Sequence, residues 1–155
     1  MQKDNPIYKK AIQKSSNYCA RAEKCTLEVE KKLHDWGFPE DMIPSVIEYL
    51  HENNFINEQR YAIAFANDKF RFNKWGKNKI KAALNQKQIS SEYISIAIEE
   101  IPEKEYQKIA IYVLKTKLSE IKQKENDAYK IKAKLFNFGQ SRGFEMEILN
   151  SFFSI

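Results

Sequence analysis

Shifting the chain by 51 residues lays apolar positions on apolar positions: Ala11 on Ala62, Ile12 on Ile63, Val29 on Ile80, Leu33 on Leu84, Phe38 on Ile89, Ile43 on Ile94 and Ile47 on Ile98. Amphipathic helices align at some offset in any helical protein, but seven pairs at a single offset mark a structural unit that is used more than once. A further shift of 55 carries Ile80 to Leu135, Ile89 to Phe144, Ile94 to Leu149 and Ile98 to Phe153, while setting Gly139 on Leu84. The third copy is therefore looser, and its extra residues are assigned to the polar stretch Ser119 to Glu125.

Within each copy the apolar residues recur at spacings of three and four, as in Val29, Leu33, Trp36 and in Ile43, Val46, Ile47, Leu50, which is the helical period. Start signals stand at Thr26, Pro39-Glu40-Asp41, Asn57-Glu58, Ser91-Glu92, Pro102-Glu103 and Asn126-Asp127. The spacing predicts nine helices, over 8–20, 26–36, 40–53, 57–72, 77–87, 91–100, 103–121, 127–139 and 145–153. Grouped in threes they make three units: 1–55 with a short N-terminal extension, 56–101, and 102–155. Only 4 Gly and 4 Pro punctuate the 155 residues, too few for a many-stranded sandwich or barrel. The 10 Phe, 8 Tyr and 2 Trp supply enough apolar bulk for a folded core. The expected fold is all-α, an elongated array of three tandem three-helix repeats, acting as a monomer.

The longest wholly apolar run, Ile109 to Leu114, is far short of the ~20 residues a membrane span needs. Met1 to Lys10 carries charges and Pro6 where a secretion signal would be apolar. Cys19 and Cys25 lie six apart, about 240° around one helix, which does not bring them together, and a reduced cytoplasmic setting fits. Neither their spacing nor that of His34 and His51 matches a zinc pattern, so buried or capping thiols are expected and no metal or cofactor.

The net charge of +5 is segregated. From Glu23 to Glu58 nine acids face three bases, whereas Lys69, Arg71, Lys74, Lys77, Lys79, Lys81 and Lys87 stand between 69 and 91 with no acid among them. The expected helix after Gly76 opens with Lys77 and Lys79, against the helix dipole, while every other start named above carries an acid in its first turn. Gly76 to Lys79 accordingly reads as a seat for a phosphate or a partner carboxylate. Lys77 and Lys81 are neighbours on that helix and Lys79 points about 200° from Lys77, so the bases form a collar. Trp75 beside it suits base stacking, but its place just before the Gly76 cap, with Ile80 at the fourth helical position, reads better as a hydrophobic staple. Phe70 and Phe72 are expected in the core, and Arg60 beside an acid of a neighbouring helix. No nucleophile motif, phosphate loop or paired acid beside the basic segment is found, so no catalytic set and no enzyme is expected.

The segment Asn57-Glu58-Gln59-Arg60-Tyr61-Ala62, then Lys69-Phe70-Arg71, then Lys74-Trp75-Gly76-Lys77-Asn78-Lys79-Ile80 with Leu84, resembles the RecX family of recombination regulators. Ala20-Arg21-Ala22-Glu23-Lys24-Cys25 with Glu28-Val29, Lys32-Leu33 and Gly37-Phe38 is similar to that family's first repeat, and Arg142-Gly143-Phe144 to its third. Asn57, Cys25 and Ala83 depart from the pattern, standing where an acid, a serine cap and a glutamate are usual. The resemblance implies a regulator in DNA repair and the SOS response. Such a protein binds the RecA filament on single-stranded DNA and lowers its ATPase, strand-exchange and coprotease activities. Arg60, Lys69, Arg71, Lys74, Trp75, Lys77, Lys79 and Lys81 are the expected partner- and DNA-binding residues, meeting single-stranded DNA, and double-stranded DNA through its phosphates. The rival reading is a helix-turn-helix-like module that acts directly on nucleic acid with the same collar.

Overall fold

The computed structural model describes residues 2–154. After a short 3-10 turn at Gln2–Asp4, nine α-helices run among those residues: α1 Pro6–Arg21, α2 Thr26–Asp35, α3 Ile43–Glu52, α4 Glu58–Phe72, α5 Lys77–Gln86, α6 Ser91–Glu99, α7 Glu103–Lys122, α8 Ala128–Ser141 and α9 Met146–Phe153. No strand occurs among them. Each group of three consecutive helices packs together, and the fold is an all-α array of tandem three-helix repeats.

Side-chain caps set several starts. Asn5, Asn57 and Asp127 accept the Ile7, Arg60 and Lys130 amides at 2.8, 2.9 and 3.1 Å. Asn5 with Pro6 at the first helical position begins α1 two residues ahead of the expected 8. The third helix does not begin at 40: residues 39–42 form turns, with Met42 N–H on Pro39 O at 3.0 Å and Ile43 N–H on Glu40 O at 3.3 Å. Pro44 explains the delay, because proline fits the first turn of a helix but has no N–H to continue one.

The second helix of every unit ends in the same way. Phe38 N–H bonds Leu33 O at 3.2 Å, Ile89 N–H bonds Leu84 O at 3.2 Å, and Phe144 N–H bonds Gly139 O at 3.0 Å. The residue before each donor is left-handed, Gly37 at φ +85°, Gln88 at +62° and Gly143 at +91°. Offsets of 51 and 55 thus hold atom for atom at these exits. The first helices also keep 51, pairing buried Ala11, Ser15 and Cys19 with Ala62, Ala66 and Phe70. The third unit instead sets Tyr106, Ala110 and Leu114 an offset of 44 from that α4 row, against 55 later. Its extra length enters partly as helix, since α7 has 20 residues against 15 in α4 and runs through Ser119–Lys122. Gly139 stands in the place of Leu84 because Leu149 fills the space: a Cβ at 139 would lie 2.4 Å from Leu149 Cδ2.

Two apolar cores result. The first unit closes its own around Val29, Leu33, Val46 and Leu50, while one continuous core joins the second and third units through Phe70, Ile80, Leu84, Tyr106, Leu114, Leu135, Phe144 and Leu149. Cys25 and Leu27, at the start of α2, lodge in that second core. Burial pushes the Cys25 and Cys19 thiols up to about 11, and both are free. Phe72 corrects the expectation of a core residue: it ends α4 about 200° from buried Phe70 and is 74% exposed. No described helix is long and apolar enough to cross a membrane.

Candidate anion-binding face and the joints beside it

The basic residues of the second unit separate into two populations. Arg60, Arg71, Lys77 and Lys87 are tied to acids of the neighbouring units. Arg60 Nε donates to Glu23 Oε1 at 2.8 Å, a contact that raises the guanidinium's proton affinity, and Arg60 also bonds Asn54 O at 3.1 Å. Arg71 pairs with Glu105 and donates to Asn67 Oδ1 at 2.8 Å. Lys77, whose side chain is only 15% exposed, meets Glu103 at 2.8 Å and so holds that carboxyl below the usual range. Lys87 meets Glu28 Oε2 at 3.3 Å.

These pairs belong to two joints. Between the first and second units, Glu58 Oε1 accepts Thr26 Oγ1–H at 2.5 Å and Thr26 N–H at 3.3 Å, beside the Arg60–Glu23 and Lys87–Glu28 pairs. Burial opposes the charge of Glu28, yet the Cys25 N–H at 3.1 Å and the Lys87 ammonium outweigh it and hold the carboxyl below its ordinary value.

The joint between the second and third units occupies the start of α5. Gly76 N–H bonds Arg142 O at 2.7 Å, Asn78 N–H bonds Gly143 O at 2.9 Å, and Lys77 N–H bonds Tyr106 Oη at 2.9 Å. Burial, reinforced by the bond to Glu145, keeps Tyr106 protonated, so its hydroxyl donates to Glu145 while accepting from Lys77. The Arg142 guanidinium reaches back to Asn73 O at 2.7 Å and Lys74 O at 3.1 Å, covering the C-terminal end of α4. The expected anion seat at Gly76–Lys79 is therefore filled from within: three amides that would cradle a phosphate bond two carbonyls and a hydroxyl of the third unit. Lysines at this start mark a special helix end, whose acceptors are the chain's own Arg142 and Gly143 carbonyls and the Tyr106 hydroxyl. The Arg142-Gly143-Phe144 motif does not announce the partnership of Gly143 with Gly76, 67 residues away, which packing alone creates.

Lys69, Lys74, Lys79 and Lys81 remain, with no acid within ion-pair distance among the described residues. Lys69 and Lys79 hold their ammonium groups 4.9 and 4.5 Å from the centre of the Trp75 ring. That ring is half-buried against the core containing Ile80, as a staple requires, and meets Phe65 edge-on at 6.3 Å. Lys74 is left-handed at φ +56°, a state that favours glycine and costs a lysine about 1 kcal/mol. Lys81 is exposed on α5. Of the eight residues expected at the site, the structure gathers Lys69, Trp75 and Lys79, leaves Lys74 and Lys81 unpaired, and assigns Arg60, Arg71 and Lys77 to the joints. Among the described residues no group of three or more His, Cys, Asp or Glu could hold a metal.

Three-helix units in tandem, the second and third bonded start-to-exit, with unpaired Lys69 and Lys79 around one tryptophan, define a helical-repeat protein with a cationic face. Family models sharpen that class: RecX, first three-helix domain, matches residues 11–50 and RecX, second three-helix domain, matches 57–98. The chain belongs to the RecX family. It is 34% identical over 142 residues to Regulatory protein RecX of Clostridium perfringens strain 13, spanning 89% of this chain and 66% of that protein. It is 30% identical over 160 residues to Regulatory protein RecX of Clostridium acetobutylicum, spanning 99% and 73%. The crystal structure of RecX from Lactobacillus salivarius shares the fold at a TM-score of 0.80 and 21% identity, over 96% of this chain and 95% of that one. A second crystal structure of regulatory protein RecX does so at 0.86 and 16%, over 96% and 72%.

Proposed function

We propose that this chain regulates homologous recombination and DNA repair by binding the RecA filament on single-stranded DNA and holding down its ATPase, strand-exchange and coprotease activities. The observation that carries the reading is the set Lys69, Lys74, Lys79 and Lys81: four lysines spared by every internal ion pair, on a unit whose other bases are consumed in joints. Membership of the RecX family supports it. The modules are 1–55, 56–101 and 102–155, and the protein acts as a cytoplasmic monomer, without catalysis of its own. A binder that prefers one state of the filament shifts the population toward that state in proportion to the preference. The helix-turn-helix alternative places a helix start in a DNA groove. The start of α5 is covered by 142–144, which argues against that helix in that role.

The experiment measures RecA's DNA-dependent ATPase against added protein. Depression is expected at concentrations well below those at which the chain binds DNA alone, and Lys74, Lys79 and Lys81 changed together to Glu should relieve it while helicity persists. An ATPase untouched until the chain saturates the DNA would replace this reading by direct DNA binding.

A further inference from the structure

The first unit carries eight acids between Glu23 and Glu52, yet Lys14, Lys24 and Lys32 pair with no described acid. Each ammonium lies over an aromatic ring instead. Lys14 is 4.6 Å from the Trp36 centre, Lys24 is 4.7 Å from that of Tyr18, and Lys32 is 5.7 and 5.5 Å from Tyr18 and Trp36. The two rings meet edge to face at 5.9 Å.

The offset of 51 superimposes this cluster on the one around Trp75, with the partners exchanged: Lys14 falls on Phe65, Tyr18 on Lys69, Lys24 on Trp75 and Trp36 on Lys87. Where one unit has a ring the other has a lysine. Both nevertheless build the same kind of stack, for Lys69 and Lys87 lie 5.4 and 5.8 Å from the Phe65 centre. Equivalent positions in a repeat occupy the same face of each unit. The clusters also adjoin, because Lys87 bonds Glu28 and Lys32 lies one helical turn beyond Glu28 on the same side of α2. Glu28 lies between them and is neutralised by Lys87, while Glu23 beside it is paired with Arg60.

An ammonium resting on a ring has already lost much of its rotamer freedom and keeps N–H donors free for an anion, so little ordering remains to be done on binding. Lysines alternating with half-buried rings suit a ligand that alternates phosphates with unpaired, stackable bases. We propose that Lys14, Lys24 and Lys32, with Tyr18 and Trp36, extend the cationic face of the second unit across the joint into one track for a single-stranded nucleic acid. Only the second half of the track rests on the function proposed above.

Trp36 and Trp75 are the two tryptophans of the chain, so the full-length Trp75→Phe variant reports from Trp36 alone. Titration with a labelled oligothymidylate should quench Trp36 emission with the same midpoint as the oligonucleotide's anisotropy. In a second arm, Lys14, Lys24 and Lys32 changed to Gln, with the melting curve checked, should weaken binding about tenfold and flatten the logarithmic salt dependence by about 2, the slope for three phosphates on a single strand. Unchanged Trp36 emission on a saturated chain, or an unchanged salt slope in the triple variant, overturns the track. So does equal quenching by polyglutamate, which would make the face a reader of acidic peptides. If the triple variant binds normally while the Lys74, Lys79, Lys81 variant fails, the track falls and the second-unit face stands. The reverse result removes the second-unit face and keeps the first.

Discussion

A methyl group distinguishes the glycines of this chain. Built on Gly76, it would lie 2.2 Å from the Gly143 carbonyl carbon and 2.3 Å from Phe144 N, backbone atoms that cannot step aside. Gly37 is left-handed at φ +85° but meets nothing within 4 Å. Gly76→Ala should therefore cost about 3 kcal/mol by forcing the two loops apart, and Gly37→Ala about 1 kcal/mol from the backbone state alone. Urea denaturation of the two variants checks the ranking; equal losses would mean that the loops at 76 and 143 are not in backbone contact. Gln88 holds the same exit conformation as Gly37 and Gly143 with a full side chain, so a side chain is tolerated in that state, and at these exits glycine is demanded only where another backbone approaches. Phe72 teaches a related point about single residues: a large apolar side chain at the last position of a helix follows its own angle around the axis, not the average hydrophobicity of its neighbours.

At the scale of elements, each joint holds a glutamate whose charge the fold stabilises, Glu28 in the first and Glu103 in the second. Glu28 has a folded proton affinity below the ordinary glutamate value of about 4.3, so its contribution is fully present above that value and is lost as the pH falls through the lower folded value. Urea midpoints measured between pH 3 and 6 should fall on the acid side, and Glu28→Gln should flatten that limb. An identical acid limb in the variant would place the titration elsewhere. The helices themselves were legible because period and caps agree, and the 51 offset was legible because the second unit repeats from Ala62 the buried column that the first begins at Ala11. Asn5-Pro6 marks the start of α1 as plainly as any other cap, whereas Pro39-Glu40-Asp41 imitates a start for α3 that Pro44 forbids. The site was legible only in part. Charge counts along the chain marked the basic segment, but which lysines stay free depends on Glu23, Glu28, Glu103 and Glu105, brought there by tertiary packing. The stacks on Tyr18 and Trp36 were hidden for the same reason, since the surrounding acids dominate any sum over the first unit.

For the whole molecule, the division into two cores predicts two cooperative bodies, α1–α3 and α4–α9, rather than three. Native-state hydrogen exchange should show amides of the second and third units opening together, while those of the first open with their own free energy. A single shared opening energy across all nine helices would contradict that division. The joint between the second and third units is written chiefly in amides and carbonyls, with Gly76, Asn78, Arg142 and Gly143 contributing main-chain atoms that every residue possesses. Apart from Gly76 and Gly143, where a Cβ would meet the opposing loop, substitution has few ways to weaken those bonds, and the third unit can change its outer side chains while remaining docked. The first joint is written in side chains, Thr26 with Glu58, Arg60 with Glu23 and Lys87 with Glu28, and each letter has a partner that must change with it. Mutational tolerance is thus unevenly distributed along the array: the far end can drift on its outer face so long as its joint residues are kept, whereas the near joint can be redesigned only in pairs.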